Sequence, residues 1–316
     1  MEPTNADRCS RPCESRRWKH RSLVRKRIHA LLCLAAILGS ALCYGSPSQH
    51  PNHSADQIAA NTEVPFDLYN DNLIIVKATV GPIKNANFIL DTGTTPSAIS
   101  KKVADRLGLI GTAAILETLN GTVHTESVVL PHIEIGSLHA DSTKVLIPDL
   151  TFLERSLGIS VGGIVGMDIL STTSFTIDYR KKIIILGPPA KCSNVVSFET
   201  RMPLITVKAT LQGEEVRLIV DSGTGGLLIY RNGLRGEYEQ IPLNPAASLS
   251  TIAGKTGLRN LRATVSLGKN DLGVRDLTIA DVDSDPQNGF DGLLGFKQMG
   301  FRRVSFDFEN GSFGWE

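Results

Sequence analysis

The chain has 316 residues, with 33 Lys and Arg, 32 Asp and Glu, and 41% hydrophobic residues. This balance is ordinary for a globular protein, and a prior of roughly 150 residues per domain suggests two domains. Aromatic residues make up only 6%, against 29 Gly and 15 Pro, which favours many short strands and turns over long helices. Residues 30–316 carry 24 basic and 29 acidic side chains. This mildly acidic body lacks the basic surface that nucleic-acid binding requires, so we expect no nucleic-acid partner.

Residues 1–45 are predicted to be an export signal. Nine basic and three acidic side chains in residues 1–29 lead into the apolar stretch Ile28–Gly45, which ends in small residues; this is the order of a secretory signal peptide. The stretch is shorter than the roughly 20 residues of a membrane span. We therefore expect cleavage near Ala41–Ser46 and a periplasmic or secreted protein. The alternative is an uncleaved segment that attaches the protein to the membrane, facing outside the cytoplasm.

Residues 46–66 are polar and contain proline, and we expect a flexible linker there. Four of the five cysteines precede this linker, and only Cys192 follows it. A lone cysteine cannot form an internal disulfide, so the exported body must depend on its hydrophobic core.

The body of the chain contains an internal repeat, in which three blocks recur in the same order at an offset of 129–131 residues. The paired blocks are Leu73–Thr94 with Leu204–Thr224, Gly162–Met167 with Asp291–Phe296, and Phe175–Tyr179 with Val304–Phe308. Such repetition is the signature of a duplicated structural unit. It predicts two all-β lobes, residues 67–187 and 201–316, joined by an inter-lobe linker over residues 188–200.

Each predicted lobe also contains a strand–turn–strand pattern. Asn120-Gly121 is a strong two-residue hairpin signal, and Ala253-Gly254 occupies the equivalent place in the second lobe. Helical pattern is scarce, and Ser100–Leu107 is the best candidate for a helix.

A pair of Asp-Thr/Ser-Gly triplets carries the functional prediction. Asp91 and Asp221 each follow a run of apolar residues, which predicts a buried strand that ends in a tight turn at the glycine. Two lobes could bring these carboxyls face to face, and like charges a few Å apart share one proton. The ionised member then accepts a proton from water while the other donates to a carbonyl oxygen. This chemistry hydrolyses amides without a metal or cofactor, and we expect neither.

These motifs resemble those of aspartic proteases of the retropepsin/pepsin superfamily, in a fused two-lobed form. The resemblance covers residues 67–316 and includes the segments Gly163–Gly166 and Gly292–Gly295. It implies two closed β-barrel lobes related by a pseudo-twofold axis, with a cleft between them. It also implies an endopeptidase that is active as a monomer on polypeptide substrates. The implied site consists of catalytic Asp91 and Asp221, supporting Thr92, Gly93, Thr94, Ser222, Gly223 and Thr224, and the flap candidates Asn120, Gly121, Ala253 and Gly254.

Two features leave the functional interpretation open. Neither hairpin carries the flap tyrosine of pepsins or the long glycine-rich flap of retroviral enzymes, so the alternative is a non-catalytic peptide-binding module that retains the fold.

Hydroxyl donation by Thr94 and Thr224 would favour charged carboxylates, which predicts an acidic pH optimum. Asp168 is predicted to have a supporting role, and Asp178 and Asp307 to lie at strand ends or turns. The spacing of His124, His132 and His139 fits no metal motif.

Overall fold

The computed structural model describes residues 31–32, 61–201, 203–234, 248–251, 253–283 and 289–316. The predicted signal peptide and linker therefore lie outside the described residues, except for 31–32 and 61–66. Most of the described chain is strand, with three short α-helices and one 3-10 turn, and the predicted all-β class is confirmed. None of the helices in the described ranges is long and apolar enough to cross a membrane.

The elements of the first half, in chain order, are β1 (Leu31–Leu32), β2 (Thr62–Tyr69), β3 (Leu73–Val80), β4 (Ile83–Leu90), β5 (Ala98–Ile99), α1 (Lys101–Arg106), β6 (Thr112–Thr118), β7 (Gly121–Ile135), β8 (Leu138–Leu146), α2 (Thr151–Leu157), β9 (Gly163–Val165), α3 (Met167–Leu170), β10 (Phe175–Asp178) and β11 (Ile183–Leu186). Those of the second half are β12 (Asn194–Ser197), β13 (Glu199–Arg201), β14 (Leu204–Leu211), β15 (Glu214–Val220), β16 (Leu227–Tyr230), a 3-10 turn (Arg231–Gly233), β17 (Ser248–Thr251), β18 (Gly254–Leu267), β19 (Asn270–Ala280), β20 (Gly292–Leu294), β21 (Arg303–Asp307) and β22 (Ser312–Trp315).

The two sequence repeats, residues 73–179 and 204–308, pair their strands in the same way. In the first repeat β9 runs parallel to β4 and antiparallel to β5; in the second, β20 lies in the same manner between β15 and β16. The registers correspond, because Leu90 pairs with Val165 and Val220 pairs with Leu294. Strands β3 and β14 also share one burial pattern, with an exposed lysine after four buried residues. Both aspartates therefore leave equivalent strands at equivalent points.

A sheet that contains strands of both repeats lies beside this arrangement. Its order is β12-β22-β21-β10-β11-β2, and it continues through β3 into the first repeat. Phe175 on β10 pairs in register with Phe306 on β21, and their rings stack with centroids 4.5 Å apart. Both rings are fully buried in one hydrophobic cluster that spans the two repeats. The two repeats therefore share a core.

Three local predictions meet different outcomes. Helix α1 is confirmed, with Ser100 Oγ at its N-terminus accepting a hydrogen bond from the Val103 N–H at 3.3 Å. The hairpin turn lies one residue earlier than the Asn-Gly signal indicates, because Thr118 already pairs with Gly121 and leaves Leu119 and Asn120 as the turn. The segment predicted as a bare linker, residues 188–200, contains β12 and the start of β13, since both find free sheet edges to pair with.

Candidate active site

Parallel strand pairing fixes the backbone of both aspartates. Asp91 follows β4, and its N–H donates to the carbonyl of Val165 at 3.0 Å. Asp221 follows β15, and its N–H donates to the carbonyl of Leu294 at the same distance. The side chains of both aspartates are fully buried. The two carboxyls therefore stand on rigid backbone at matching places in the two repeats.

Thr92 and Ser222 form four hydrogen bonds that join the loop after β4 to the loop after β15. The Thr92 N–H donates to Ser222 Oγ at 3.0 Å, and the Ser222 N–H donates to Thr92 Oγ1 at 2.9 Å. Each hydroxyl then donates across to the opposite strand: Thr92 to the Val220 carbonyl at 2.8 Å, Ser222 to the Leu90 carbonyl at 3.2 Å. This reciprocal network is buried, and it sets the separation of the two loops.

The glycine of each triplet lies against the aspartate of the other. A Cβ atom on Gly93 would lie 2.5 Å from Asp221 Cγ, and one on Gly223 would lie 2.9 Å from Asp91 Oδ2. No larger residue fits at either position without displacing a carboxyl. The glycine N–H groups also bind the carboxyl of their own triplet, Gly93 to Asp91 Oδ1 at 2.9 Å and Gly223 to Asp221 Oδ1 at 2.6 Å. The two carboxyl groups are close enough for the charge of Asp91 to raise the pKa of Asp221.

Burial raises the pKa of both carboxyls. For Asp91, desolvation raises the pKa, while hydrogen bonds from Thr94 and Gly93 lower it by less. For Asp221 the pKa lies well above the usual value of 3.8, because desolvation and the charge of Asp91 both favour the protonated form. The backbone N–H groups of Gly223 and Thr224 oppose this shift only in part. A pair of facing, buried carboxyls holds one proton between them over an extended pH range.

The two carboxyls differ in their hydrogen-bond partners. Thr94 Oγ1 donates to Asp91 Oδ2 at 2.7 Å, which favours the ionised form of Asp91. Oδ2 of Asp221 is buried and accepts no hydrogen bond from a donor within the described residues. A buried carboxylate oxygen without a donor is costly, whereas a carboxylic acid can itself donate. These contacts favour the ionised form of Asp91 and the protonated form of Asp221.

The structure also brings together the tips of the two predicted hairpins, β6–β7 and β17–β18. Thr251 Oγ1 donates a short hydrogen bond to Asn120 Oδ1, and a Cβ atom on Gly121 would lie 3.7 Å from that of Ala253. The Ala253 N–H is held in turn by Thr251 Oγ1 at 3.0 Å. Gly254 begins β18 with φ +127°, a backbone conformation that favours glycine. Three of the flap candidates, Asn120, Gly121 and Ala253, thus lie at one contact between the repeats, and Gly254 follows directly in the chain.

Further contacts near the aspartates were missed at the sequence level. Asn72, in the turn between β2 and β3, donates from Nδ2 to the Gly223 carbonyl at 2.8 Å. Its neighbour Asp71 forms an ion pair with Lys297 at 2.7 Å. The repeat does not indicate either contact, because residues 202–203 of the second repeat are Met and Pro where the first has Asp and Asn. No local signal would have identified them.

The other acidic candidates have structural partners. Asp168 accepts hydrogen bonds from the N–H and the hydroxyl of Ser97, which confirms its supporting role. Asp178 accepts from the backbone of the turn after β10, and Asp307 from Asn310 after β21, as predicted for strand ends. Within the described ranges, no group of three or more His, Cys, Asp or Glu residues is placed to hold a metal ion.

Residues 76–169 match the family model of an aspartyl protease. The matched segment begins in β3 and ends in α3, so it contains the Asp91 triplet, the first hairpin and the Gly163–Gly166 segment, but not the Asp221 triplet. A search of curated proteins found no match. The match therefore supports an aspartic protease family on the first repeat, and the second repeat is connected to it by internal similarity and equal strand pairing.

Proposed function

We propose that this protein is an aspartic endopeptidase in which two fused, retropepsin-like lobes each supply one catalytic aspartate. The observation that carries the proposal is the facing pair of fully buried carboxyls of Asp91 and Asp221, each bound by the glycine N–H of its own triplet. The bonds between Thr92 and Ser222 support it further, because they hold the pair at a fixed separation. The aspartyl protease match of residues 76–169 supports protease chemistry in general.

In the proposed mechanism the pair activates a water molecule bound between the carboxyls. The Asp91 carboxylate takes one proton from the water while the resulting hydroxide attacks the carbonyl carbon of the substrate amide. Asp221 gives its proton to the carbonyl oxygen, so the tetrahedral intermediate forms without a net charge. When the C–N bond breaks, Asp91 returns its proton to the departing nitrogen and Asp221 recovers a proton from the intermediate's hydroxyl. The pair is thus restored with one proton.

The hairpin tips are proposed to cover the bound substrate. Asn120 and Gly121 meet Thr251 and Ala253 across the two repeats, so a polypeptide must enter beneath or between them. Such a passage favours an extended chain, whose backbone can pair with the hairpin strands while its side chains occupy pockets. Polypeptides with apolar side chains near the cut are therefore the proposed substrates.

We also propose that the protein is exported and active as a monomer. Export rests on the basic and then apolar order of residues 1–45, with membrane attachment through that segment as the alternative. Monomeric activity is supported because one chain supplies both aspartates and both hairpins. Fractionation of cells that express the tagged chain tests export, and analytical ultracentrifugation of the active enzyme tests its oligomeric state.

A cleavage assay with Asp→Asn variants tests the catalytic proposal. The purified chain is incubated with a mixture of unfolded polypeptides from acidic to neutral pH, and new termini are identified by mass spectrometry. Cleavage by the parent, and its loss in both Asp91→Asn and Asp221→Asn, is expected. Asp307→Asn is the matched control, since that carboxyl lies at a strand end and accepts hydrogen bonds from Asn310 in the following turn.

The non-catalytic alternative predicts a different result. A peptide-binding module would cleave none of the polypeptides at any pH, yet would retain peptides on the immobilised protein. Retention that is equal in the parent and in Asp91→Asn, without new termini, would overturn the proposed activity.

A further inference from the structure

A groove of about 500 Å³ lies between strand β12 and strands β14 and β15 of the second repeat. Its lining includes no residue of the catalytic triplets or of the hairpin tips. Val195, Val196 and Phe198 supply apolar surface, and the ring of Phe198 is anchored by an edge contact with Phe308 at 5.6 Å between centroids. Val195 is nonetheless exposed. A cleft of this size that combines apolar surface with a few polar groups is suited to bind a ligand.

The ends of two sheets meet at this groove. Among the strands that the structure describes, β12 is the last strand of the shared sheet, and β13 is the last strand of the other sheet. Only Phe198 separates the two strands in the chain, and residues of both line the groove. An edge strand presents backbone N–H and C=O groups to which another extended chain can pair.

Two cations face each other on the wall of the groove. Lys208 on β14 and Arg217 on β15 are directly opposite in the strand register, and like charges at such positions destabilise a sheet. Glu215 forms an ion pair with Lys208 at 3.2 Å. The guanidinium of Arg217 has no such partner among the residues that the structure describes, although its backbone binds Asp291. The positive charge of Arg217 is therefore uncompensated within the described chain.

The equivalent place in the first repeat is neutral. Lys77 and Asn87 are the counterparts of Lys208 and Arg217, and they are also directly opposite in the register. Lys77 Nζ donates to Asn87 Oδ1 at 2.5 Å, and Asn87 Nδ2 donates to the Ser160 carbonyl at 2.8 Å. The first repeat thus satisfies its lysine internally, whereas the second repeat presents a cation that is open to an anion from outside.

The charges around the groove favour an acidic partner. Lys269, in the turn between β18 and β19, adds a third basic side chain, and Glu199 is the one acidic side chain among the described residues that line the groove. The body of the chain, by contrast, carries more acidic than basic residues. A local basic site attracts and orients an acidic partner. Because the site is concave and lies beside an edge strand, an extended polypeptide fits it better than a flat lipid surface does.

We propose that this groove is a docking surface for an extended acidic segment of another polypeptide. The backbone of that segment pairs with the edge of β12, its carboxylates pair with Arg217 and Lys269, and its apolar side chains contact Val195 and Val196. Successive side chains of a strand point to opposite faces, so a segment with alternating acidic and apolar residues presents one face of each kind. The docking surface is separate from the aspartates and does not depend on their activity.

Binding of a fluorescein-labelled peptide of alternating Val and Glu residues tests this proposal by fluorescence anisotropy. The full-length chain carries Asp91→Asn in every measurement, so that the peptide stays intact. Arg217→Gln and Lys269→Gln should each weaken binding by about twofold to fivefold, and added salt should weaken it further. Arg262→Gln is the matched control, because it removes one positive charge from β18 outside the groove, at a side chain that is 70% accessible. It should leave binding unchanged.

Two further peptides separate the charge from the strand pairing. A peptide of alternating Val and Lys should not bind, and the Val-Glu peptide with alternate amides N-methylated should bind at least about tenfold more weakly, because it loses backbone donors. Equal affinity of the N-methylated peptide would overturn the pairing with β12.

The variants also decide between a polypeptide and a lipid partner. Equal binding of the Val-Glu peptide by the parent, Arg217→Gln and Lys269→Gln would overturn the docking surface. Sedimentation with phosphatidylglycerol vesicles that requires Arg217 and Lys269, in a chain that does not bind the peptide, would overturn the polypeptide partner. Lys269 lies in an exposed turn, so Lys269→Gln keeps the test decisive even if Arg217→Gln fails to fold.

Discussion

At the scale of single residues, the Thr94 hydroxyl distinguishes the two aspartates. It donates to Asp91 Oδ2 and lowers the pKa of that carboxyl against the effect of burial. Thr94→Val keeps the shape and removes the donor. A hydrogen bond to a charged group contributes about 1.5 kcal/mol, so the pKa of Asp91 should rise by roughly one unit. The acidic limb of the pH–rate profile should move to higher pH by that amount.

Thr94→Ser retains the hydroxyl and should leave the acidic limb where it is in the parent. An unmoved limb in Thr94→Val would mean that a group other than Asp91 titrates there. The acidic optimum predicted from the two threonines remains a prediction, and burial works against it because burial raises the pKa of both carboxyls.

Asp221 makes the folded state sensitive to pH. Its pKa is raised well above 3.8 on folding, so the native state binds a proton that the unfolded chain has released. The free energy of unfolding therefore falls as pH rises from about 3.8 through the raised value. Asp221→Asn removes this loss, and its amide can donate to Asp91 from the position of Oδ2. The variant should melt several degrees higher than the parent at neutral pH.

Thermal unfolding followed by circular dichroism checks this expectation across pH. The melting temperatures of parent and Asp221→Asn should converge well below pH 3.8, where the parent carboxyl is protonated in both states. Asp307→Asn, at an exposed turn, should follow the parent at neutral pH. A gap between parent and Asp221→Asn that is constant with pH would contradict the assigned protonation.

The sequence alone predicted the residues whose roles depend on their neighbours in the chain. Asp91 and Asp221 follow apolar strands, and the adjacent glycines permit the turn, so the two triplets could be placed from sequence alone. Asn72 and Lys297 could not be placed in this way, because their partners Gly223 and Asp71 are distant in sequence and belong to the other repeat.

At the scale of elements, the contact between the two hairpins should control access to the aspartates. Cβ atoms at positions 121 and 253 would lie 3.7 Å apart, within the range of a disulfide. Gly121→Cys with Ala253→Cys should therefore crosslink the tips, at a cost of about 1–3 kcal/mol for a side chain at φ +145°. The oxidised variant should cleave polypeptides at least tenfold more slowly than its reduced form.

Reducing agent should restore cleavage in the double variant, and peptide mapping should locate the new disulfide. The Ala253→Cys single variant, which keeps Gly121, is the control for the added thiol. Equal cleavage in the oxidised and reduced double variant would show that substrate reaches the aspartates without separation of these tips.

The boundaries of elements could be predicted where they depend on neighbouring residues. The predictions were wrong where a boundary depends on pairing with another strand. A helix was predicted over Ser100–Leu107, and α1 begins and ends within one residue of those bounds. The first hairpin turn shifted by one residue because strand register fixes the pairing of Thr118 with Gly121. Strand β12 has no strong pattern of its own, and it forms because β22 offers an edge.

At the scale of the whole molecule, the shared sheet makes the two repeats depend on each other. Strands β10 and β21 pair antiparallel, and the sheet continues through β22 to β12 on one side and through β11 to β2 on the other. The duplication in the sequence predicted that the repeats would adopt one pattern. It contained no signal that strands from both would join in one sheet, because that pairing depends on residues about 130 positions apart.

Phe306→Ala tests whether this sheet couples the repeats. Phe306 is fully buried, stacks on Phe175 and contacts Phe313 with centroids 5.4 Å apart. Loss of the ring should lower the free energy of unfolding by about 3–5 kcal/mol, whereas Phe306→Leu, which fills most of the space, should cost much less. Because the core is continuous, one calorimetric transition should shift as a unit. Two transitions, of which only one moves, would mean that the repeats unfold independently and that the spacing of the aspartates depends on the Thr92–Ser222 bonds alone.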